Sequence, residues 1–373
     1  MPRWNNIMIQ GQEYVQKEEK MEELKKEKID QVKEEYKMKN IDIRNEKECE
    51  EVVKIIKASY EEEEEFRENY EEEYIRWRLD RKSFDKELCI GVYINEKVLV
   101  GLICGMKKRY QINRNEVGLL EVEFLAVSKK FKGKGLGKML IKELRNRAVG
   151  KGIQVGMYSS SKKNKKGREL YRERKYYRAM NIKKLLRTGY CEIPKKEDEE
   201  KIERYYKLPK KTTNKRFEKM KEGEEEEAYK LYKRYMEKYN FYEVLNKEEF
   251  KEEYMNKYVR TYVLKNEEGE IIDLISYYVT TSKIMKKKTK DKKIIKGNIF
   301  SYTSNNETAY RLIRDVMIAS QEEEIDVFYI SDVLENEMMI KELQYTEGKE
   351  KYSYLLNWKY NELKKYQVGK MKL

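Results

Sequence analysis

The chain has 373 residues and a net charge of +14, with 83 lysines and arginines against 69 acidic residues. The absence of histidine excludes a Ser-His-Asp or Cys-His nucleophile system and a histidine-ligated metal. The four cysteines form no CxxC pair, which argues against a zinc site and a disulfide scaffold, and the lack of a long apolar run or signal peptide predicts a cytoplasmic protein.

The chain opens with a charged segment and continues into a helix and a hairpin. The stretch KEEKMEELKKEKIDQVKEEYKMKN has no sustained apolar stripe, so a solvated helix or tether is the simplest prediction. The segment NEKECEEVVKIIKASY has helical spacing and leads into the acidic stretch SYEEEEEFRENY. In CIGVYINEKVLVGLICGM the residues NEK separate two apolar runs, which predicts a β-hairpin.

Three glycines at alternate positions, Gly133, Gly135 and Gly137, lie between a predicted strand and a predicted helix. The strand is LLEVEFLAV, which is apolar and β-branched, and the helix is MLIKELRNRA. A helix N-terminus presents unpaired N–H groups and favours an anion, and residues without Cβ let a phosphate approach. Four lysines add positive charge: Lys130, Lys132, Lys134 and Lys138. These features predict a phosphate-binding loop, and the competing interpretation is a tight strand-to-helix turn that is rich in glycine and lysine.

The second half of the chain repeats the order of the first. EEEEAYKLYKRYMEKY predicts a helix, and RTYVLKNEEGEIIDLISYY predicts a hairpin whose Asn266 lies 171 residues after Asn95. Ile325 in EEIDVFYI follows Ile153 in KGIQVGMY by 172 residues. Where the first half has its glycine loop, the second has FSYTSNNETAYRLIRDVMIA, without glycine. The sequence therefore predicts two copies of one α/β unit, joined near YKLPKKTTNK, and only the first has a phosphate loop.

The loop resembles the pyrophosphate loop of the GNAT acyltransferases, with Lys132 in the Gln or Arg position and Gly135 and Gly137 as the glycines. A doubled GNAT unit with one such loop resembles the N-myristoyltransferases, or glycylpeptide N-tetradecanoyltransferases. Segments that match the family occur in its order along nearly the whole chain: SYEEEEEFRENY, VEFLAVSKK, GMYSSS, YYKLPK, ISYYVTTSKIM, DVFYISDVLENE and LLNWKYNELKKYQVGKMKL.

The resemblance implies a mixed α/β fold, in which two pseudo-symmetric GNAT-like units form one saddle-shaped sheet with surrounding helices. It divides the chain into an N-terminal charged segment (residues 1–40) that contacts CoA at its start, an acyl-CoA-binding half (41–210), and a half (211–373) that binds peptide and carries the C-terminal carboxylate. The implied reaction transfers myristate from myristoyl-CoA to the α-amine of an N-terminal glycine. Myristoyl-CoA is then a co-substrate, and no permanent cofactor or metal is expected.

The implied partners are myristoyl-CoA and N-terminal glycine peptides, or nascent proteins, with downstream basic residues. An association with the ribosome is compatible with such substrates, whereas no specific nucleic acid and no transmembrane segment are expected.

The resemblance also assigns roles to individual residues. The backbone N–H groups of Phe124 and Leu125 form the oxyanion hole, while their side chains are ordinary core. The main-chain carboxylate of Leu373 is the base that deprotonates the glycine ammonium. The positions that contact CoA are Trp4, Leu125, Val127, Lys132, Gly133, Lys134, Gly135, Leu136 and Gly137. The positions that contact the peptide are Tyr60, Glu62, Glu64, Phe66, Tyr70, Ser159, Tyr177, Ser282, Tyr302 and Asp332. For the acidic run from Glu61 to Glu65 the alternative is a solvated helix face.

Three departures from the family pattern stand out. Tyr177 replaces a histidine, Glu123 replaces an asparagine beside the oxyanion hole, and the loop is unusually rich in glycine. Many acetyltransferases use a glutamate on this strand as base, so Glu123 is a candidate to share proton removal. A partly buried glutamate that pairs with lysine or arginine is the competing interpretation.

Three other functions remain open. An acetyltransferase acting on an amine would use the same loop, and a pseudo-enzyme would bind CoA without turnover. A nucleic-acid-binding protein would use the positive charge, but its signals would be clustered basic helices, whereas the charges here alternate in sign along most of the chain.

Overall fold

The computed structural model describes residues 23–27, 35–60, 65–165, 167–192, 198–285, 289–304 and 306–371, without the side chains of 306–308. The chain divides into two compact units of non-consecutive segments. Unit 1 holds the described residues of 23–60, 70–172 and 351–363, and unit 2 holds those of 65–69, 173–350 and 364–371.

The strands of the described chain are β1 (Tyr36–Asn40), β2 (Phe66–Glu68), β3 (Cys89–Ile94), β4 (Val98–Ile112), β5 (Asn115–Val127), β6 (Val155–Ser160), β7 (Tyr171–Ala179), β8 (Phe217–Lys219), β9 (Phe241–Glu243), β10 (Val259–Lys265), β11 (Ile271–Ile284), β12 (Lys293–Thr303), β13 (Val327–Ser331) and β14 (Thr346–Leu356). The helices are α1 (Glu46–Ser59), α2 (Glu72–Leu79), α3 (Leu136–Gly150), α4 (Ile182–Thr188), α5 (Glu199–Tyr206), α6 (Glu225–Met236), α7 (Lys247–Tyr254), α8 (Asn306–Ala319) and α9 (Asn336–Glu342).

In unit 1 the strand order is β1-β3-β4-β5-β6-β14. Strands β5 and β6 are parallel and the other neighbours are antiparallel. The predicted hairpin joins β3 to β4 through Asn95 and Glu96, whose φ values of 49° and 60° are those of a type I′ turn. One apolar core lies between the sheet and α3, and another lies between the sheet and α1 and α2.

In unit 2 the strand order is β7-β13-β12-β11-β10-β8, and β2 also pairs with β11. Strands β12 and β13 are parallel and the other neighbours are antiparallel. The succession β3, β4, β5, α3, β6 of unit 1 therefore recurs as β10, β11, β12, α8, β13 with the same pairing. The predicted internal repeat and the mixed α/β fold are confirmed.

The units do not divide at the predicted boundary between residues 210 and 211. The chain passes from unit 1 to unit 2 between Arg172 and Glu173, inside β7, and residues 351–363 return to unit 1. The physical reason lies in strand pairing: β7 follows the first repeat but pairs with β13, and β14 follows the second repeat but pairs with β6 from Tyr352 onward. Sequence order alone does not reveal that arrangement.

The described part of the N-terminal segment is not a free tether. The Leu24 N–H donates to the Gln154 Oε1 at 2.8 Å, and the Glu27 N–H donates to the Asn146 Oδ1 at 2.8 Å. The Glu27 carboxylate also lies 3.1 Å from the buried guanidinium of Arg145. Residues 23–27 are thus fixed to the C-terminal half of α3, which corrects the prediction of a solvated segment there.

The sequence argues against a disulfide scaffold, and it gives no sign of the one bonded pair of cysteines in the structure. Cys89 and Cys104 are direct partners in the β3–β4 ladder, with Cα atoms 4.1 Å apart, and their sulfur atoms form a disulfide. The two residues are 15 positions apart in sequence, so only the strand register brings them together.

None of the helices in the described residues is long and apolar enough to cross a membrane. Over the same residues, the acidic and cysteine side chains form no group of three that could hold a metal ion.

Candidate active site

The predicted glycine loop lies between β5 and α3. Gly133 and Gly135 have φ values of +83° and +81°, and a Cβ at either position would meet no atom within 4 Å. Both positions therefore require glycine for their backbone conformation, and open space lies in front of them. Gly135 is the N-cap of α3 and offers no side chain to its N–H groups. The loop thus presents backbone donors at a helix N-terminus, as an anion site requires.

The side chains of the loop divide between solvent and core. Lys132, Lys134 and Lys138 are exposed, and the Lys134 ammonium lies 4.8 Å from the centroid of the Phe131 ring. Leu136 is only 3% exposed and packs in the core under α3, so its side chain faces away from the loop surface. Only the backbone of Leu136 is available to a ligand.

A β-bulge interrupts β5 just before the predicted oxyanion hole. Cys104 of β4 pairs with Phe124 and the next residue, Gly105, pairs with Val122, so Glu123 is the extra residue. The described β5–β6 pairing spans three residues and ends where Glu121 meets Met157. Phe124 and Leu125 therefore lie beyond the last residue of β5 that pairs with β6, although both still pair with β4.

The side chains around this bulge are core, as predicted. Phe124 is buried in the core beneath α1, and Leu125 and Val127 pack against the core beneath α3. The Tyr60 hydroxyl donates to the Leu125 carbonyl at 2.9 Å. In an antiparallel ladder the N–H and C=O of one residue point to the same side, so this contact indicates that Leu125 directs both groups away from β4.

Glu123 lies in a buried ion network. Its carboxylate accepts from Arg78 at 2.6 Å and from Lys108 at 2.9 Å, and Lys108 also contacts Glu121 at 2.9 Å. Tyr110 donates to the Glu121 carboxylate at 2.8 Å. Burial opposes the charged form, but the cations of Arg78 and Lys108 outweigh it and lower the pKa of Glu123 to about 2. Both oxygens of Glu123 are engaged, which favours the ion-pair interpretation over a role as base.

The predicted peptide residues of unit 1 are aromatic or satisfied by neighbours. The rings of Tyr60 and Tyr70 lie 5.7 Å apart, and Tyr60 is 43% exposed. The Ser159 hydroxyl is 3.0 Å from the Ser353 hydroxyl. Trp4, Glu62 and Glu64 lie outside the described residues.

The polar residues predicted to contact the peptide in unit 2 differ in whether their side chains already make hydrogen bonds. Tyr302 is fully buried and donates to the Asn336 Oδ1 at 2.8 Å. Asp332 accepts from the Arg174 N–H at 2.7 Å and from Lys365 at 2.5 Å. The Ser282 hydroxyl is buried but has no hydrogen-bond partner among the described residues.

Aromatic residues form the rest of this set. Tyr177 lies 6.1 Å, ring to ring, from Tyr329, and burial raises its pKa. Phe66 packs edge to face on Tyr190 at 4.9 Å.

The sequence analysis missed a set of polar residues on one side of the unit 2 sheet, which we call the Lys175 face. Its members lie on β7, β13, β12 and β2: Lys175, Tyr177, Tyr329, Ser331, Lys296, Asn298 and Glu68. Lys175 and Tyr177 alternate along β7, as side chains on one face of a strand do. That alternation can be predicted from KYY, but the residues that lie beside Lys175 and Tyr177 belong to other strands.

The C-terminal segment is anchored in unit 2. Val368 and Met371 are buried, Val368 forms a parallel bridge with Phe241, and the Gly369 N–H donates to the Phe241 carbonyl at 2.7 Å. Upstream, Leu355 and Leu356 are buried at the end of β14. Leu373 lies outside the described residues.

Comparison with solved structures shows the fold. A Saccharomyces cerevisiae N-myristoyltransferase crystallised with bound myristoyl-CoA superposes with a TM-score of 0.90 at 23% identity, covering 97% of this chain and 92% of that chain. A GCN5-related N-acetyltransferase from Anabaena variabilis gives a TM-score of 0.51 at 10% identity, covering 86% of this chain and 72% of that chain. The GNAT-like character of the fold is thereby confirmed.

Comparison with known sequences shows the family. A probable glycylpeptide N-tetradecanoyltransferase of Caenorhabditis elegans is 26% identical over 90% of this chain and 75% of its own length. The glycylpeptide N-tetradecanoyltransferase of Plasmodium falciparum is 28% identical over 88% of this chain and 82% of its own length. Family models of the N-terminal and C-terminal domains of myristoyl-CoA:protein N-myristoyltransferase match residues 14–166 and 187–372. The chain belongs to the myristoyl-CoA:protein N-myristoyltransferase family.

Proposed function

We propose that this chain transfers myristate from myristoyl-CoA to the α-amine of an N-terminal glycine. The observation that carries this proposal is the junction in unit 1, where the bulged end of β5 leads directly to a glycine loop at the N-terminus of α3. Such a junction can hold the phosphates of a CoA thioester and present backbone donors to its carbonyl.

The CoA moiety binds along this junction. The N–H groups at the start of α3 and the open backbone at Gly133 and Gly135 receive the pyrophosphate, and Lys132 and Lys134 attract it from solvent. Leu125 and Val127 contact the adjoining part of the cofactor. Leu136 contributes its main chain, since its side chain is held in the core.

The transfer needs no covalent enzyme intermediate because a thioester is already activated. The glycine nitrogen attacks the thioester carbonyl, a C–N bond forms, the C–S bond breaks and CoA leaves as the thiol. The N–H groups of Phe124 and Leu125 stabilise the negative charge on the tetrahedral oxygen. The Tyr60 contact to the Leu125 carbonyl supports this role for Leu125, since it indicates that the backbone groups of Leu125 face away from β4.

The attacking amine must first lose the proton of its ammonium form. The main-chain carboxylate of Leu373 accepts that proton. Anchoring of the segment up to Met371 supports this assignment, because a frayed tail would not hold a base in place. Glu123 is a poorer candidate, since its oxygens already accept from two cations.

The peptide binds through the residues that the family resemblance assigns to it. Tyr60, Tyr70 and Phe66 contact its first residues, and Ser159, Tyr177 and Ser282 contact its backbone and small side chains. The acidic run that contains Glu62 and Glu64 attracts basic residues downstream of the glycine. Tyr302 and Asp332 support the peptide site through Asn336 and Lys365, to which they are bonded.

One assay tests the proposal against its alternatives. Acetyl-, octanoyl- and myristoyl-CoA are each supplied with a glycine-starting peptide, and free thiol is recorded. The control peptide is the same sequence with an acetylated N-terminus, which has no attacking amine. We expect turnover with myristoyl-CoA and the free peptide. Turnover with acetyl-CoA alone would identify an acetyltransferase, and CoA binding without any turnover would identify a pseudo-enzyme.

A further inference from the structure

The Lys175 face contains a half-buried cation and a buried hydroxyl that make no hydrogen bond to any residue the structure describes. Lys175 of β7 lies directly opposite Ser331 of β13, so both side chains project from the same side of the sheet with Cβ atoms about 5 Å apart. Tyr177 and Tyr329 are opposite each other in the same ladder, two residues away along each strand. These four residues form a small surface of two polar and two aromatic side chains.

The ammonium of Lys175 makes no hydrogen bond or ion pair within the part of the chain that the structure describes. Burial disfavours its charge and lowers its pKa, although the carboxylates of Glu173 and Glu68 attract it. Neither carboxylate bonds to it: Glu68 is bonded to Lys296, and Glu173 is itself buried two residues earlier on β7. An ammonium that is half-buried and makes no hydrogen bond or ion pair among the described residues gains free energy from an added acceptor.

Ser331 supplies a second, independent sign of a missing ligand. Its side chain is 3% exposed, and its hydroxyl has no hydrogen-bond partner among the described residues. A hydroxyl in that position can donate to an acceptor that also contacts Lys175. On the other side of the tyrosine pair, the Lys296 ammonium lies 5.7 Å from the centroid of the Tyr329 ring, which adds positive charge to the same face.

We propose that Lys175 and Ser331 bind the carboxylate of an aspartate or glutamate side chain in the substrate peptide. This inference rests on the proposed function and makes Lys175 a specificity-determining residue for that reaction. A carboxylate accepts from the ammonium and the hydroxyl together and compensates the desolvated charge, whereas a serine hydroxyl leaves the charge uncompensated. A basic side chain at that peptide position is repelled. The preferred peptide therefore carries an acidic residue in addition to the downstream basic ones.

The test uses pairs of glycine-starting peptides that differ only by aspartate or asparagine, with the exchange moved along the peptide one position at a time. The full-length enzyme is compared with Lys175→Met, Ser331→Ala and a matched control, Lys233→Met, which changes an exposed lysine of α6. We expect the wild type to prefer aspartate at one position by about tenfold in kcat/KM, as a charge-assisted hydrogen bond would give. Lys175→Met abolishes that preference but keeps turnover of the asparagine peptide, Ser331→Ala reduces it, and Lys233→Met leaves it intact.

Peptide affinity, measured by fluorescence anisotropy, provides a readout that does not require turnover. If no peptide is acylated but Lys175→Met still removes a preference for aspartate in binding, the proposed function fails and this inference holds. If the wild type acylates or binds the two members of every pair equally, or if Lys175→Met retains the preference, the inference is overturned.

Discussion

The two units of this protein have the same succession of elements and differ at one junction. In unit 1, β5 leads through two glycines with positive φ into α3, and the space in front of those glycines is open. In unit 2, β12 leads into α8 through Thr303 and Ser304, which are buried, with no glycine. The comparison teaches that the same succession of elements can carry an open glycine loop in one copy and a glycine-free junction in the other.

Both repeats have a β-bulge at the corresponding position, but the bulged residue differs in its chemistry. The β4–β5 register skips Glu123, and the β11–β12 register skips Phe300 at the corresponding place in the repeat. In unit 1 the extra residue is an acid held by Arg78 and Lys108. In unit 2 it is an aromatic ring that stacks on Tyr254 at 5.5 Å. The first bulge lies beside the proposed oxyanion hole, and the second is part of an aromatic core.

The largest effect is expected from the end of the chain, where the carboxylate of Leu373 is proposed to act as the base. Deleting Leu373, or adding one residue after it, should lower kcat by about a hundredfold or more, because general base catalysis contributes on that scale. The affinity for myristoyl-CoA should remain near that of the wild type. Single-turnover kinetics and a separate CoA titration distinguish the two quantities. A normal kcat in the extended protein would assign the base to another group.

The second prediction compares a glycine of unit 1 with one of unit 2. Gly135→Val should weaken CoA binding by about tenfold or more, because the new side chain blocks the backbone approach. The control is Gly269→Val in the β10–β11 turn, where φ is +87° and the space around the Cβ is equally open. Both substitutions carry a similar backbone strain of about 1–2 kcal/mol. Equal CoA affinity in the two folded variants would remove the glycine loop from the cofactor site.

The third prediction concerns the charged bulge. Glu123→Gln removes the carboxylate charge that Arg78 and Lys108 share and should lower the free energy of unfolding by about 3 kcal/mol at neutral pH. We expect kcat to change little. A large loss of kcat in the folded variant, with stability unchanged, would assign Glu123 a catalytic role instead.

The pH dependence of that difference has a defined sign. Since the pKa of Glu123 is lowered from its ordinary 4.5 to about 2, its contribution is present above pH 4.5 and is lost as the pH falls towards 2. Urea titrations of the wild type and Glu123→Gln at several pH values should therefore converge in acid. A constant difference across this range would show that folding does not lower the pKa of Glu123.

The smallest effect is expected from the acidic run. Changing Glu61 to Glu65 to glutamine should raise KM by about threefold for peptides with downstream lysines, in line with exposed charge pairs. The effect on neutral peptides should be smaller, and added salt should reduce the difference between them. Equal changes in KM for both peptides would favour a solvated helix face.

The predictions of local structure were confirmed where the residues of one short segment determine its conformation. The turn at Asn95 and the glycine loop were predicted because positive φ and missing side chains are properties of the residues themselves. The disulfide between Cys89 and Cys104 was missed because it depends on the register of two strands. The Lys175 face was missed for the same reason, since Ser331 lies opposite Lys175 only after the chain has run through most of unit 2.

The sequence by itself determined the internal repeat, the strand–loop–helix junction with its glycines, and the family, because each is written in contiguous residues whose period and order are unaffected by folding. Only the tertiary structure decided that β7 and β14 pair outside their own repeats and that Glu123 is a bulge residue with two cations. It also decided that Lys175 and Ser331 face each other without a hydrogen-bond partner among the described residues. These features arise from hydrogen bonding between strands that are distant in sequence. Burial and charge compensation depend on those distant neighbours, and no local pattern encodes them.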